Sequence, residues 1–384
     1  SIMSNLKDFD WTGFWNDVDY AFESYIGKPV TDKDIKDAET ELGYTLPAAY
    51  IELLNNHNGG VLNKNCFINN DGECVYVTGI YGIDRDKKKS IFGEFGNEFW
   101  MSKWEYPPIG VVVADTISGG HDMIFLDYRE CGPTDEPKVV RVDQEGDYSI
   151  TLLADSFGDF IKQLYISIED ITDEEFQALS DEDKVKLINE QEDLDIDRAM
   201  ELLTNIGIDN LSPILLSTLG RIYNNNDRAA EAVELFERID ESYRDWSWYY
   251  RKGYAHASLA HGESYHSEHV QQALQLIETA MKKTKEAHLE KQLSWCCEVV
   301  EYILSFIKPS EYEKDYPMIF ETIKTFVNKS QNAEINKLDA EQLEISEDNY
   351  PSYSAVHWVF NKKSYTKENF SKEFNQILEE YAEY

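Results

Sequence analysis

Cysteine is scarce in this chain, cations are outnumbered, and long apolar runs are missing. Its 384 residues include only Cys66, Cys74, Cys131, Cys296 and Cys297. An odd count without regular spacing argues against a disulfide framework and for reduced thiols. Lys and Arg number 36 against 73 Asp and Glu, a formal charge of -37. Such a field repels nucleic-acid phosphates and anionic membranes and draws in basic proteins. Nucleic acid and membrane therefore drop out as expected partners; the competing reading is that the acidity serves solubility alone. No apolar stretch approaches the roughly 18 residues a membrane helix needs. The opening SIMSNLKDFDW has neither the basic nor the apolar region of a signal peptide. A cytoplasmic protein is expected.

Templates of chemistry are missing too. There is no Gly-x-x-x-x-Gly-Lys-Ser/Thr run, no Gly-x-Ser-x-Gly elbow and no Cys-x-x-Cys. Gly93 and Gly96 are too sparse for a dinucleotide loop. No cofactor, metal or enzymatic activity is expected. The pair His121-Asp122 precedes the apolar run Met123-Ile124-Phe125-Leu126, and His57 is the only other histidine in this half. Without a spaced set of ligands, the pair reads as a strand entrance whose turn is made by Gly119 and Gly120. His266 and His269 stand three apart as the only same-face pair among His256, His261, His266 and His269, beside a stretch that reads as a solvated loop. Cys296-Cys297 reads as helix core. Cys66 and Cys74, on neighbouring strands, can approach each other, though nothing requires a bond.

What is present describes packed domains. Hydrophobic residues make up 42% and aromatics 13%, enough for filled cores, and the length favours two domains. Trp11, Trp15, Val18, Phe22, Tyr25 and Ile26 recur at helical spacing and predict one long first helix. Thr31 or Asp32 caps a second, through Ile35, Ala38 and Leu42, that Gly43 stops. Pro47 opens a third that buries Tyr50, Leu53 and Leu54 and ends at Asn58-Gly59-Gly60. Short β-rich runs follow: VLNKNCFI, CVYVTGIYGI, IGVVVAD, HDMIFLDY and PKVVRVDQ, punctuated as antiparallel strands. DSFGDFIKQLYISI closes the segment as a helix capped by Asp155 or Ser156. From Glu169 to about Asp209 the chain is acidic and helical, and beyond that it reads as helical to its end.

AETELGYTLPAAYIELLNNHNGG, PPIGVVVAD, SGGHDMIFLDY and VVRVDQEGDYSITLLADSFGDFIKQL occur in that order within roughly the first 165 residues. In this the chain resembles the SUKH superfamily, which joins bacterial toxin-immunity proteins to yeast regulators of cell-wall assembly. The later half is similar to a degenerate tetratricopeptide array. Leu216, Leu219, Gly220, Tyr223, Ala232, Phe236 and Ile239 fit one repeat, with Gly220 permitting close approach of two antiparallel helices. A second unit runs through Tyr249, Gly253, Ala273, Ile277 and Ala280, with an insertion near HGESYHSEH; a plain helical bundle is the alternative. The expected organisation is an α+β domain at 1–166, mainly antiparallel sheet with flanking helices, then an acidic helical linker at 167–210 and an all-α repeat domain at 211–384.

The resemblance implies an immunity protein that binds and neutralises a basic toxin domain by stoichiometric occlusion, without turnover. The alternative is a scaffold whose helical half recruits partners, with Trp246, Trp248, Tyr249 and Tyr250 exposed in a groove. Aromatics set among charges between the early strands and the Pro-Ile-Gly strand single out Tyr81, Asp84, Glu94, Glu98, Trp100 and Trp104 as partner contacts. Asp115 and Asp122 complete the expected acidic rim.

Overall fold

The computed structural model describes residues 5–261, 267–304, 307 and 311–322. The chain divides into two compact units, Ser1–Leu202 and Leu203–Tyr384, and each contains its own hydrophobic core.

The first unit begins with α1 (Asp19–Ser24), α2 (Asp32–Leu42) and α3 (Ala48–Asn56). Strands β1 (Gly60–Val61), β2 (Cys66–Ile68) and β3 (Cys74–Ile80) come next, then α4 (Asn97–Ser102). Four longer strands follow: β4 (Gly110–Thr116), β5 (Asp122–Asp127), β6 (Lys138–Asp143) and β7 (Ser149–Ala154). Helix α5 (Phe157–Lys162) and strand β8 (Leu164–Tyr165) close the sheet, and α6 (Asp173–Ala178), α7 (Asp181–Gln191) and α8 (Ile196–Thr204) succeed them. All pairings are antiparallel, in the order β7-β6-β5-β4-β3-β2-β8, with β1 also on β3. Strands β4 and β5 are buried along their whole length, which is why their sequences are continuous apolar runs and do not alternate.

Local signals placed α2 and α3 well. Thr31 and Asp34 form a reciprocal capping box, and Gly43 ends α2 in the left-handed region. Three expectations need correction. The long first helix shrinks to Asp19–Ser24, because Gly13 turns the chain at φ +71 and Trp15 bridges to Leu62. Val18 and Phe22 end up 43% and 52% exposed, while Ala21 and Tyr25 are buried. The early aromatics instead stack on one another, Trp11 on Trp15 and Trp15 on His57. The closing helix stops at Lys162, since Leu164 and Tyr165 pair with β2. Cys66 and Cys74, with Cα atoms 5.7 Å apart, are joined as a disulfide where free thiols were expected.

The second unit is built of α9 (Pro213–Asn224), α10 (Ala229–Glu237), α11 (Trp246–Ala260), α12 (Ser267–Glu286) and α13 (Glu290–Leu304). Sequential helices pack as neighbours, and α11 also touches both α9 and α13. The expected small-residue contact is present twice. A Cβ on Gly220 would lie 2.6 Å from the Phe236 ring, and one on Gly253 would lie 2.8 Å from Ile277. Helix pair α11/α12 thus repeats the contact of α9/α10. The insertion around residues 262–266, with His266, and the segment from 323 onward lie outside the described residues. Among the described residues no helix is long and apolar enough to cross a membrane.

Candidate functional site

An acidic cleft in the first unit forms where three loops meet around Asn58. Its Nδ2 donates to the Lys28 carbonyl at 2.7 Å, and its Oδ1 accepts from the Ile83 amide at 3.0 Å. This ties the segment after α1 to the segment after β3. The crossing is too tight for side chains: Gly59 is at φ +81, and a Cβ there would come within 2.6 Å of the Gly82 nitrogen. The Asn58-Gly59 dipeptide therefore does more than end α3; it fixes the floor of the cleft.

The cavity above that floor measures about 390 Å³ and lies between α2 and the loop following β3. Asp34 and Asp37 face it from α2, and Asp84 and Asp86 from the loop; Val30 and Phe92 add apolar wall. Helix periodicity explains the first pair: Ile35 and Ala38 turn into the core, so Asp34 and Asp37, one turn apart, are left outward. Burial pushes the Asp84 carboxyl up. The amides of Lys28 and Asp86 and the charges of Lys28 and Lys87 outweigh that and hold it below its ordinary value. The Thr31 amide and hydroxyl hold Asp34 down as well. Both are anionic at neutral pH. Lys33 lies 2.7 Å from Asp37, and Arg85 pairs with Glu41 while stacking 4.6 Å from the Phe92 ring. Lys28 and Arg85 line the cavity too, so its four carboxylates outnumber its cations by two, and with the apolar wall between them they suit a lysine or arginine side chain on a protein surface.

The same loop is anchored from within. Tyr25 donates its hydroxyl to both oxygens of Asp115, at 2.9 and 2.7 Å, and Lys89 Nζ sits 3.3 Å from that carboxylate. Lys89 also lies 5.6 and 5.9 Å from the rings of Phe95 and Trp100. Burial raises the Asp115 pKa despite Lys89 and Tyr25. This network ties the loop to the sheet: Tyr25, Asp115 and Trp100 are buried, and Lys89 and Phe95 are partly exposed.

The eight residues singled out by sequence do not form one rim. Tyr81, Trp100 and Asp115 are interior; Trp100 Nε1 donates to the Tyr81 hydroxyl at 3.2 Å, and Tyr50 donates to the Tyr81 carbonyl. Asp122 is buried at the entrance of β5, where Arg141 Nε donates to it at 2.5 Å and Thr116 donates through its hydroxyl. Burial raises its pKa, and bonds from Ser118, Thr116 and Arg141 outweigh that and lower it. His121 stands apart, 3.1 Å from Gln144, so the His-Asp pair is the strand entrance the sequence suggested. Trp104 is half-buried against Trp100 and His121. Glu94 and Glu98 are exposed, Glu94 lying 4.0 Å from Lys88. Only Asp84 lines the cleft.

Sequence reasoning missed Asp34, Asp37 and Asp86. The available signal was an acidic i,i+3 pair on α2 opposite Ile35 and Ala38. Among the described residues no three His, Cys, Asp or Glu side chains are grouped to hold a metal. His269 meets His256 at 2.9 Å between Nδ1 atoms, and His266 lies outside the described residues.

Residues 29–163 match the model of the SMI1 / KNR4 family (SUKH-1). The match runs from the loop before α2 to the end of α5 and includes all four cleft carboxylates. No curated protein and no solved structure matches the chain.

Proposed function

Since residues 29–163 form a domain of the SMI1 / KNR4 family (SUKH-1), a family consistent with immunity and regulatory roles, we propose that this chain is an immunity protein. It binds a basic toxin domain, nuclease-like in charge, and neutralises it by stoichiometric occlusion in the cytoplasm. The observation that carries this reading is the cleft of Asp34, Asp37, Asp84 and Asp86 within the family domain. A cationic side chain of the toxin enters between the carboxylates, which fix its register, while the acidity of the chain as a whole steers the encounter. Binding buries the toxin's own cationic face, and no chemical step is needed. The domain division at 1–166, 167–210 and 211–384 belongs to the same proposal, with the first segment as the binding domain.

The test is capture from the native cells followed by native mass spectrometry. One basic partner at one-to-one ratio, its killing activity blocked in the complex, is the expected result. Charge reversal at the exposed positions Asp37 and Asp86, as Asp37→Lys with Asp86→Lys, is expected to weaken that complex by about tenfold or more. A spread of housekeeping partners, or a complex indifferent to the double reversal, contradicts the proposal.

A further inference from the structure

Helix α1 leaves apolar surface in water that helical spacing alone would have buried. Of the five large apolar side chains exposed among the described residues of the first unit, three fall within five positions: Val18, Tyr20 and Phe22. Val18 and Phe22 stand one turn apart and so share a face, with the Phe22 ring 52% exposed. Tyr20 lies edge-on to the buried Tyr25 at 5.7 Å. A single exposed apolar side chain needs no explanation, whereas a cluster marks an interaction surface.

The surroundings of the cluster point to the partner. Asp17, Asp19 and Glu23 are exposed beside it, and residues 11 to 27 include no Lys or Arg. Asp17 meets His57 Nε2 at 3.0 Å. Lys87 approaches from the loop after β3, and its Nζ donates to the Phe22 carbonyl at 2.8 Å. The Lys87 amide donates to the Asp84 carbonyl at 3.2 Å, and the Lys89 amide to the Ser24 carbonyl at 2.8 Å. Four residues after Ser24, the Lys28 amide donates to the Asp84 carboxylate at 3.0 Å. Helix α1 is thus clipped to the wall of the acidic cleft on both sides of Asp84, and its apolar face adjoins that cleft. An apolar centre with a carboxylate rim repels acidic proteins and anionic bilayers and suits a basic protein surface.

We propose that α1 is the apolar half of the interface whose charged half is the acidic cleft. Val18 and Phe22 receive an apolar or aromatic side chain of the basic partner, next to the cation that the cleft holds. This rests on the reading of the cleft as the site for a basic toxin domain and adds to it the anchor that excludes water. Carboxylates fix the register of such a complex, and a packed aromatic at its centre carries a larger share of the affinity.

The full chain carrying the photo-reactive p-benzoylphenylalanine at position 22, expressed in the native cells and irradiated, tests this. The expected cross-link is to the same basic chain that is captured at one-to-one ratio, and Asp37→Lys with Asp86→Lys should reduce its yield by about tenfold or more. With that partner purified, Phe22→Ala should weaken the complex by about tenfold or more, through faster dissociation at an unchanged association rate. Phe22→Leu, which keeps an apolar side chain, should stay within about threefold of the parent. Thermal melts of each variant separate loss of the contact from loss of the fold. A complex that the double reversal weakens but Phe22→Ala does not overturns the inference and leaves the cleft standing. A cross-link from position 22 into the chain itself or into a second copy also overturns it, and the absence of any basic partner overturns both readings together.

Discussion

Glu301 on α13 is 4% exposed, and neither of its carboxylate oxygens has a hydrogen-bond partner. Burial, then the charge of Glu298, pushes its carboxyl up to about 8. An acid whose pKa is raised on folding binds its proton better in the native state. Its contribution is therefore present at low pH and lost as pH rises from the ordinary 4.5 through 8. His256 has the opposite sign: burial, then His269 and Lys252, hold it down to about 4. Its contribution is complete above 6.5 and lost as pH falls towards 4. Glu301→Met is expected to stabilise the chain by about 1–3 kcal/mol at pH 8.5 and to gain little at pH 5. Denaturant unfolding at both pH values checks it; an equal gain at both would place the effect in packing and not in charge. Neither group could be found in the sequence. Glu301 shares with Glu290 and Glu298 a helix that reads as amphipathic, and only the packed neighbours decide which of the three loses water. Asp115 and Asp122 teach the same lesson in reverse: their carboxylates suggested a surface, and Tyr25, Lys89 and Arg141 instead carry them inside.

At the scale of elements, legibility follows how local the deciding contact is. Helix α2 is set by Thr31, Asp34 and Gly43, all within its own sequence, and it appears where those residues put it. The first helix fails because the aromatics at helical spacing are claimed by distant partners, Trp15 by Leu62 and His57. Strand β8 is invisible for the same reason: two residues acquire strand geometry only from β2. The helix pairs of the second unit lie between these cases, since a small residue facing a large one is a spacing that sequence retains. Gly220→Ala tests that contact. Alanine favours a helix interior by about 1 kcal/mol over glycine, yet its Cβ would lie 2.6 Å from the fully buried Phe236 ring. Steric cost is expected to win, with a net loss of about 1–3 kcal/mol. Phe236→Leu combined with Gly220→Ala should then recover part of that loss relative to the sum of the two single changes. A Gly220→Ala variant more stable than the parent would mean that the two helices part without cost.

For the whole molecule, net charge is the property most legible in sequence, because it needs no fold to be summed. Where the charge acts does need one. The formal -37 is spread over both units, and the fold gathers Asp34, Asp37, Asp84 and Asp86 around one cavity. Asp84 was found because it sits among aromatics; of its three companions, Asp34 and Asp37 come from α2, and Asp86 follows two residues later on the same loop, its amide donating to Asp84. This separation of a global field from a local site predicts how binding responds to salt. The field acts across many ångströms, whereas the Debye length shrinks from about 10 Å at 0.1 M to about 3 Å at 1 M. Association with a basic partner should therefore slow by about tenfold or more between 0.05 and 0.5 M salt, with dissociation much less affected. The Asp37→Lys, Asp86→Lys variant removes two negative charges and adds two positive ones at the cleft, but leaves most of the global field. It should keep most of the salt dependence of the association rate and lose its affinity mainly through faster dissociation. Stopped-flow association across that salt range separates the two. If the variant lost the salt dependence altogether, steering would reside in the cleft alone, and the remaining acidity of the chain would serve solubility.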